Sequence, residues 1–157
     1  MVSIRKASST KEAKKKSSGH LKSTTIPDSF SLLDTQTSCI QPVRSQGNCG
    51  SCYSFAAAQM LGDRYCIATG GDIKVRLTMQ ELVSCDYNNY GCNGGWMTNA
   101  ILYMQNYGLY TTFCMPYDEE TTVTKKCKYR CDDMNIKDNK YFCKQGSMKI
   151  LTDVEDI

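Results

Sequence analysis

Histidine is nearly missing from this chain, which has one, His20, in 157 residues. Finger-type zinc sites with a histidine pair are thereby excluded, and so is imidazole acid–base chemistry anywhere after residue 20. Proline is scarce at three residues and tryptophan scarcer at one. No apolar run reaches the roughly 20 residues that span a bilayer, and none of signal-peptide length follows Met1. A large charge excess is also missing: the net charge is +3. Residues 1–25 hold seven Lys or Arg against the single acid Glu12, or +6, so the remainder carries 3 − 6 = −3. A basic balance therefore belongs to this leader alone, and nothing in the rest of the chain asks for nucleic acid or an acidic membrane as a partner. The leader has no apolar periodicity and reads as a solvated, disordered segment.

Cysteine and tyrosine are abundant instead, at ten residues each. That cysteine usage points to an oxidising compartment (secreted, vacuolar or lysosomal) and to a fold braced by disulfides. Hydrophobic residues at 41% and aromatics at 10% allow a real core. The globular pattern begins at Ile26-Pro27, dividing the chain into residues 1–25 and residues 26–157. A helix reads from Ser51 to Ala68 with little polar face, so burial on most sides is expected, and Gly70-Gly71 stops it. Thr78 and Glu81 fit the capping box that starts a second, short helix. In "WMTNAILYMQNY" the spacing puts Trp96, Ala100, Tyr103, Met104 and Tyr107 on one side of a third, ended by Gly108. "MKIL" at 148–151 opens a strand, and Thr152 and Glu155 form another capping box.

The segment "SQGNCGSCYSF" sets Cys49 and Cys52 three positions apart. Such a pair is a metal knuckle, a redox dithiol, or one bridged cysteine beside a reactive one. A zinc knuckle needs a second Cys-x-x-Cys or a histidine pair, and the other cysteines occur singly. A thioredoxin-type dithiol needs a preceding strand, where this chain has the turn-rich "CIQPVRSQGN". The third option fits better. Cys52 falls at the first turn of the long helix, where unpaired N–H groups and the helix dipole favour negative charge on sulfur. Gly47 and Gly50 let the chain turn sharply, and Gln46 can offer its amide to an oxyanion beside the Cys52 N–H.

"QGNCGSCYSF" resembles the active-site segment of papain-family cysteine peptidases and fits the pattern C-G-[SA]-C-[WY]. "YGCNGGWM" resembles that family's second motif, with "ELVSCD" between the two. "DRYCI", "CMPY" and "KKCKYRC" are similar to cathepsin B in particular, and the similarity covers about residues 26–157. The resemblance implies an α+β, papain-like fold, of which this chain is mainly the helical left-hand domain, disulfide-braced, with the β-rich right-hand domain largely missing. It implies a cysteine endopeptidase forming a thioester at Cys52, with Gln46 in the oxyanion hole. Gly94 and Gly95 would present backbone to an extended substrate, Gly50 and Asn93 would bind substrate beside them, and Trp96 and Met97 would wall its subsites. It pairs Cys49 with Cys92, Cys39 with Cys66, Cys85 with Cys127 and Cys114 with Cys131, leaving Cys143 over beside Cys52. Spacing alone does not choose this pairing, since eight cysteines allow 105 connectivities. The implied partners are a peptide or protein substrate and a propeptide or cystatin-like inhibitor, with no cofactor and no metal.

Departures from the family pattern are equally specific. Tyr53 stands where a Trp is usual, altering the wall beside the nucleophile. Cys114 to Cys127 contains no histidine, so the occluding loop behind cathepsin B's exopeptidase activity is absent and endopeptidase action is implied. The catalytic histidine and asparagine should follow the nucleophile by roughly 130–150 residues. Only 157 − 52 = 105 residues follow Cys52, and none is His. The expectation is a chain cut at both ends and inactive by itself, or else a non-catalytic homologue that binds peptides or proenzyme.

Overall fold

Ser31 starts the first element of the computed structural model, which describes residues 28–36, 38–137 and 139–152. Its hydroxyl accepts from the Leu33 N–H at 3.2 Å, the usual N-cap service of a short polar side chain, and the single turn α1 (Leu32–Thr35) follows. Next come α2 (Cys52–Ala68), α3 (Gln80–Cys85), a 3-10 turn (Gly91–Asn93) and α4 (Met97–Asn106). Among the described residues there is no β-strand, only two isolated antiparallel bridges, Leu77 with Thr111 and Leu109 with Tyr141. This helix-rich architecture is the helical half of the expected α+β fold. The basic segment 1–25 and the capping box at Thr152–Glu155 lie wholly or mainly outside the described residues.

The core forms where α2 meets α3 and α4. Tyr53, Ala57, Ala58, Leu61 and Tyr65 of α2 pack with Leu77, Met79, Leu82, Ala100, Met104 and Leu109. Burying each large apolar side chain contributes about 1.5–3 kcal/mol before ordering costs, and the small Ala57 and Ala58 let the helices approach. A second cluster joins Tyr110, Met115 and the Cys114–Cys131 bridge under the irregular segment that follows α4. Further disulfides join Cys39 to Cys66, Cys49 to Cys92 and Cys85 to Cys127.

Four local expectations need correction. First, α2 is not buried on most sides. Ala56, Arg64 and Ala68 are exposed and Phe55, Met60 and Ile67 only half-buried. A cavity of about 480 Å³ runs along that side, between α2 and the segment holding Leu32, Val43 and Arg44. Second, Trp96 and Tyr107 are exposed although their spacing matches buried Ala100 and Met104; they sit at the two ends of α4, where the face runs out of neighbours. Third, 148–151 form no strand, and the extended contacts of the C-terminal part come from Tyr141 instead, which exchanges both backbone hydrogen bonds with Leu109.

Fourth, the Thr78/Glu81 capping box is only half built. The Thr78 hydroxyl accepts from the Gln80 N–H at 3.1 Å and donates to the Met115 carbonyl at 2.6 Å. Glu81 does not return to the Thr78 N–H, which bonds the Tyr110 carbonyl at 3.0 Å. Its carboxylate is 1% exposed and accepts from the Tyr110 N–H at 2.9 Å, the Tyr103 hydroxyl at 3.2 Å and the Lys140 ammonium. Burial first, and then this carboxylate, hold the Tyr103 phenol far above its usual range, so it remains a donor. The Lys140 ammonium also lies 4.2 Å from the centre of the Tyr110 ring.

Candidate active site

Ser51 occupies the N-cap of α2, yet its side chain makes no capping bond. The Ser54 N–H bonds the Ser51 carbonyl at 2.9 Å, and the N–H groups of Cys52 and Tyr53 have no partner among the described residues. Cys52 is exposed and unbridged at the first helical position, while Tyr53 and Ser54 turn inward. Tyr53 therefore does not wall the nucleophile: it is 3% exposed, in the core, and its hydroxyl donates to the Gly91 carbonyl at 3.3 Å. Gln46 precedes the helix, half-buried, and its side-chain amide bonds nothing among the described residues. The turn between them depends on Gly47, whose φ is +63° and whose missing Cβ would strike the Glu119 carbonyl.

Two loops are drawn together here. The Cys49–Cys92 bridge links the segment before α2 to the segment before α4, and the Gly50 N–H donates to the Cys92 carbonyl at 2.8 Å. A Cβ on Gly50 would lie 2.6 Å from that oxygen, so only glycine allows the approach. On the far side, Asn89 clamps the glycine loop. Its Oδ1 accepts from the Trp96 N–H at 2.7 Å, and its Nδ2 donates to Asp86 Oδ2 at 2.7 Å and to the Trp96 carbonyl at 3.4 Å.

The two glycines of the loop differ. The Gly94 carbonyl accepts from the Tyr90 N–H at 3.0 Å, whereas the N–H and C=O of Gly95 have no partner among the described residues. Asn93 is exposed, and its N–H bonds the Tyr90 carbonyl at 3.0 Å. Trp96 is 68% and Met97 43% exposed, so these side chains stand on the surface beside the loop rather than in the core. Three residues of this arrangement, Ser51, Asn89 and Tyr117, were outside the sequence expectation. Asn89 had a weak signal as a turn-forming side chain between hydrophobic segments. Tyr117 ends the "CMPY" segment noted for its resemblance, but nothing local tied it to this site, which it reaches from 66 residues away from Ser51.

Asp86, which receives the Asn89 amide, is 3% exposed, and burial pushes its carboxyl above the usual range against the bonds from Asn88 and Asn89. A raised folded pKa means the native state holds the proton more tightly. Its stabilising effect is full below the unfolded value near 3.9 and is lost as pH rises through the folded value. The melting temperature of the wild type, relative to Asp86→Asn, should therefore fall as pH rises from about 4 toward neutrality. A flat difference between the two proteins over that range would contradict this.

No histidine stands among the described residues, and none of them group as three or more possible metal ligands. The other unbridged cysteine, Cys143, is half-buried, and burial pushes its thiol up to about 11. Also among the described residues, no helix is long and apolar enough to cross a membrane.

The chain that carries this exposed thiol and glycine loop matches known proteins. Residues 26–155 match the family described as papain family cysteine protease. Cathepsin B-like CP2 of Giardia intestinalis is 36% identical over 113 residues, covering 71% of this chain and 38% of the relative. Cathepsin B-like cysteine proteinase 4 of Caenorhabditis elegans is 40% identical over 90 residues, covering 55% and 27%. Among solved structures, proCathepsin B S9 from Trypanosoma congolense superposes with a TM-score of 0.68 at 31% identity, covering 76% of this chain and 42% of that one. The Carica candamarcensis cysteine protease CMS1MS2 in complex with E-64 gives 0.56 at 31% identity, covering 69% and 46%. The chain spans about two-fifths or less of the curated relatives it matches. It belongs to the papain family of cysteine proteases, and its likeness is to the cathepsin B-like members.

Proposed function

We propose that this chain carries the nucleophile and one wall of the substrate cleft of a cathepsin B-like cysteine endopeptidase. In that reading the Cys52 sulfur attacks the scissile carbonyl carbon, the carbonyl π pair moves to oxygen, and the peptide C–N bond breaks. The thiol's proton leaves with the amine, and water then hydrolyses the thioester to the acid and the free thiol. The developing oxyanion takes the Cys52 N–H and the Gln46 amide. Gly95 pairs its free N–H and C=O with an extended substrate, strand to strand, as Gly94 does in part. Gly50 and Asn93 form the floor between the loops, and Trp96 and Met97 border the side-chain subsites. The observation that carries the reading is the exposed, unbridged Cys52 beside a loop whose Gly95 backbone is unpaired.

Proton transfer is the step these residues do not supply. An imidazole partner contributes about 10²–10⁴-fold in rate, and no histidine follows Cys52 in this chain. The 157 residues alone are therefore expected to hydrolyse no fluorogenic dipeptide amide measurably, while iodoacetamide at neutral pH labels one thiol. That thiol is Cys52, since Cys143 is protonated there, and Cys52→Ala should abolish labelling. Labelling of Cys143 instead, or of Cys52 no faster than a free model thiol, would remove the activated-nucleophile reading. Amide hydrolysis lost in Cys52→Ala would overturn the inactivity.

A second reading is a non-catalytic homologue that uses the same cleft, with its exposed Cys52 and unpaired Gly95 backbone, to bind peptides or proenzyme. Saturable binding of an unreactive peptide by Cys52→Ala supports it. The substrate class in either reading is a peptide or protein, with a propeptide or cystatin-like protein as inhibitor. The compartment proposed is lysosomal, vacuolar or secretory, in keeping with four disulfides.

A further inference from the structure

The hydroxyl of Tyr117 donates to the main-chain carbonyl of Gln46 at 2.8 Å and lies 2.7 Å from the hydroxyl of Ser51. Direction follows from the proton count. A carbonyl has no proton to give, so the Tyr117 proton points to Gln46, and Ser51 must donate to Tyr117. Among the described residues Ser51's only other acceptor is the Cys49 carbonyl at 3.4 Å, the weaker choice. Ser51, fully buried, is thus turned away from the helix it caps and toward a tyrosine from another segment. The Tyr117 ring is held edge-on against Phe55 with centroids 4.8 Å apart, so its hydroxyl has little freedom to follow a moving loop. Next to it, the Glu119 carbonyl abuts Gly47.

We infer that Tyr117 is a positioning residue for oxyanion binding, its hydroxyl fixing the distance between the Gln46 backbone and the N-terminus of α2. This rests on the reading of Gln46 and the Cys52 N–H as oxyanion donors. The relay Ser51 → Tyr117 → Gln46 ties one donor's main chain to the residue just before the other donor.

The test uses the 157-residue chain and two probes of the same sulfur. Acetyl-Phe-glycinal forms a thiohemiacetal: the S–C bond forms, the carbonyl π pair moves to oxygen, and the thiol proton ends on that oxygen, which the donors hold. Iodoacetamide displaces iodide and creates no oxyanion. In Tyr117→Phe, which keeps the ring, the aldehyde's dissociation constant should rise roughly tenfold while the alkylation rate stays within about twofold. Gln46→Ala should weaken the aldehyde at least as much. The double variant should match Gln46→Ala alone, because Tyr117 acts through Gln46. Ser51→Ala, with a loss of about threefold, decides the matter if Tyr117→Phe does not fold. Unchanged aldehyde affinity in Tyr117→Phe, with a loss in Gln46→Ala, overturns the positioning role and leaves the oxyanion reading standing. A parallel fall with both probes, or additive losses in the double variant, also overturns it. An aldehyde that ignores Gln46→Ala, or that does not bind the wild type, removes the oxyanion reading and this one together.

Discussion

Cys49→Ser combined with Cys92→Ser is expected to lower the stability of this chain by about 4 kcal/mol, the chain-entropy value for a loop of this size. The bridge closes 43 residues of sequence separation, and both cysteines are buried. With about 2 kcal/mol per molar for the urea dependence, the midpoint should move down by roughly 2 M under non-reducing conditions. What remains between the nucleophile's segment and the glycine loop is then the Gly50–Cys92 hydrogen bond and the one from the Tyr53 hydroxyl to the Gly91 carbonyl, each of a kind that contributes about 1 kcal/mol. The glycine loop should consequently part from the nucleophile before the helices unfold, and hydrogen exchange at Gly50 should accelerate by more than at Leu61. A midpoint shift under 0.5 M would show that packing, not the bridge, holds the loops.

Glu81→Ala should cost about 3–5 kcal/mol, the usual penalty for removing one partner of a buried ion pair. Three donors lose their acceptor at once: the buried Tyr110 N–H, the Tyr103 hydroxyl and the Lys140 ammonium. Lys140, with 23% of its side chain exposed, recovers some water, but the Tyr110 N–H cannot. Lys140→Met should therefore be less damaging than Glu81→Ala, since two donors still face the carboxylate. Urea denaturation of both variants and their double mutant measures the coupling. If Glu81→Ala falls within 1 kcal/mol of wild type, the carboxylate is not the hub the contacts describe.

Those same residues show where sequence reading works and where it stops. The position of α2 was legible because a run from Tyr53 to Tyr65 is ended by Gly70 and Gly71, and α4 because Gly108 follows it with φ +68°. Both signals are local. Glu81 misled because three-residue spacing from Thr78 is a local pattern too, and a lysine 59 residues downstream, invisible to any window, claims the carboxylate. Ser51 was read as the first residue of the long helix and is its N-cap instead, and its hydroxyl answers to a tyrosine 66 residues away. Trp96 and Tyr107 matched the helical period of Ala100, and only the ends of a neighbouring helix decide which residues of a face are covered. At the site, residue types and spacing singled out Cys52 and Gln46. The choice of Gly95 over Gly94 as the unpaired backbone needed coordinates, because it turns on whether the Tyr90 N–H reaches one carbonyl.

The four disulfides have a property that lies in their order along the chain. The intervals 39–66, 49–92, 85–127 and 114–131 each overlap the next. From Cys39 to Cys131 there is consequently no peptide bond whose scission frees a fragment, since at least one bridge always spans the break. A molecule nicked once in any loop of that region keeps its mass and its two halves in place, and separates into two pieces only after reduction. For a chain belonging to a family of proteases, that makes a cut by a neighbouring protease survivable as long as the surroundings stay oxidising.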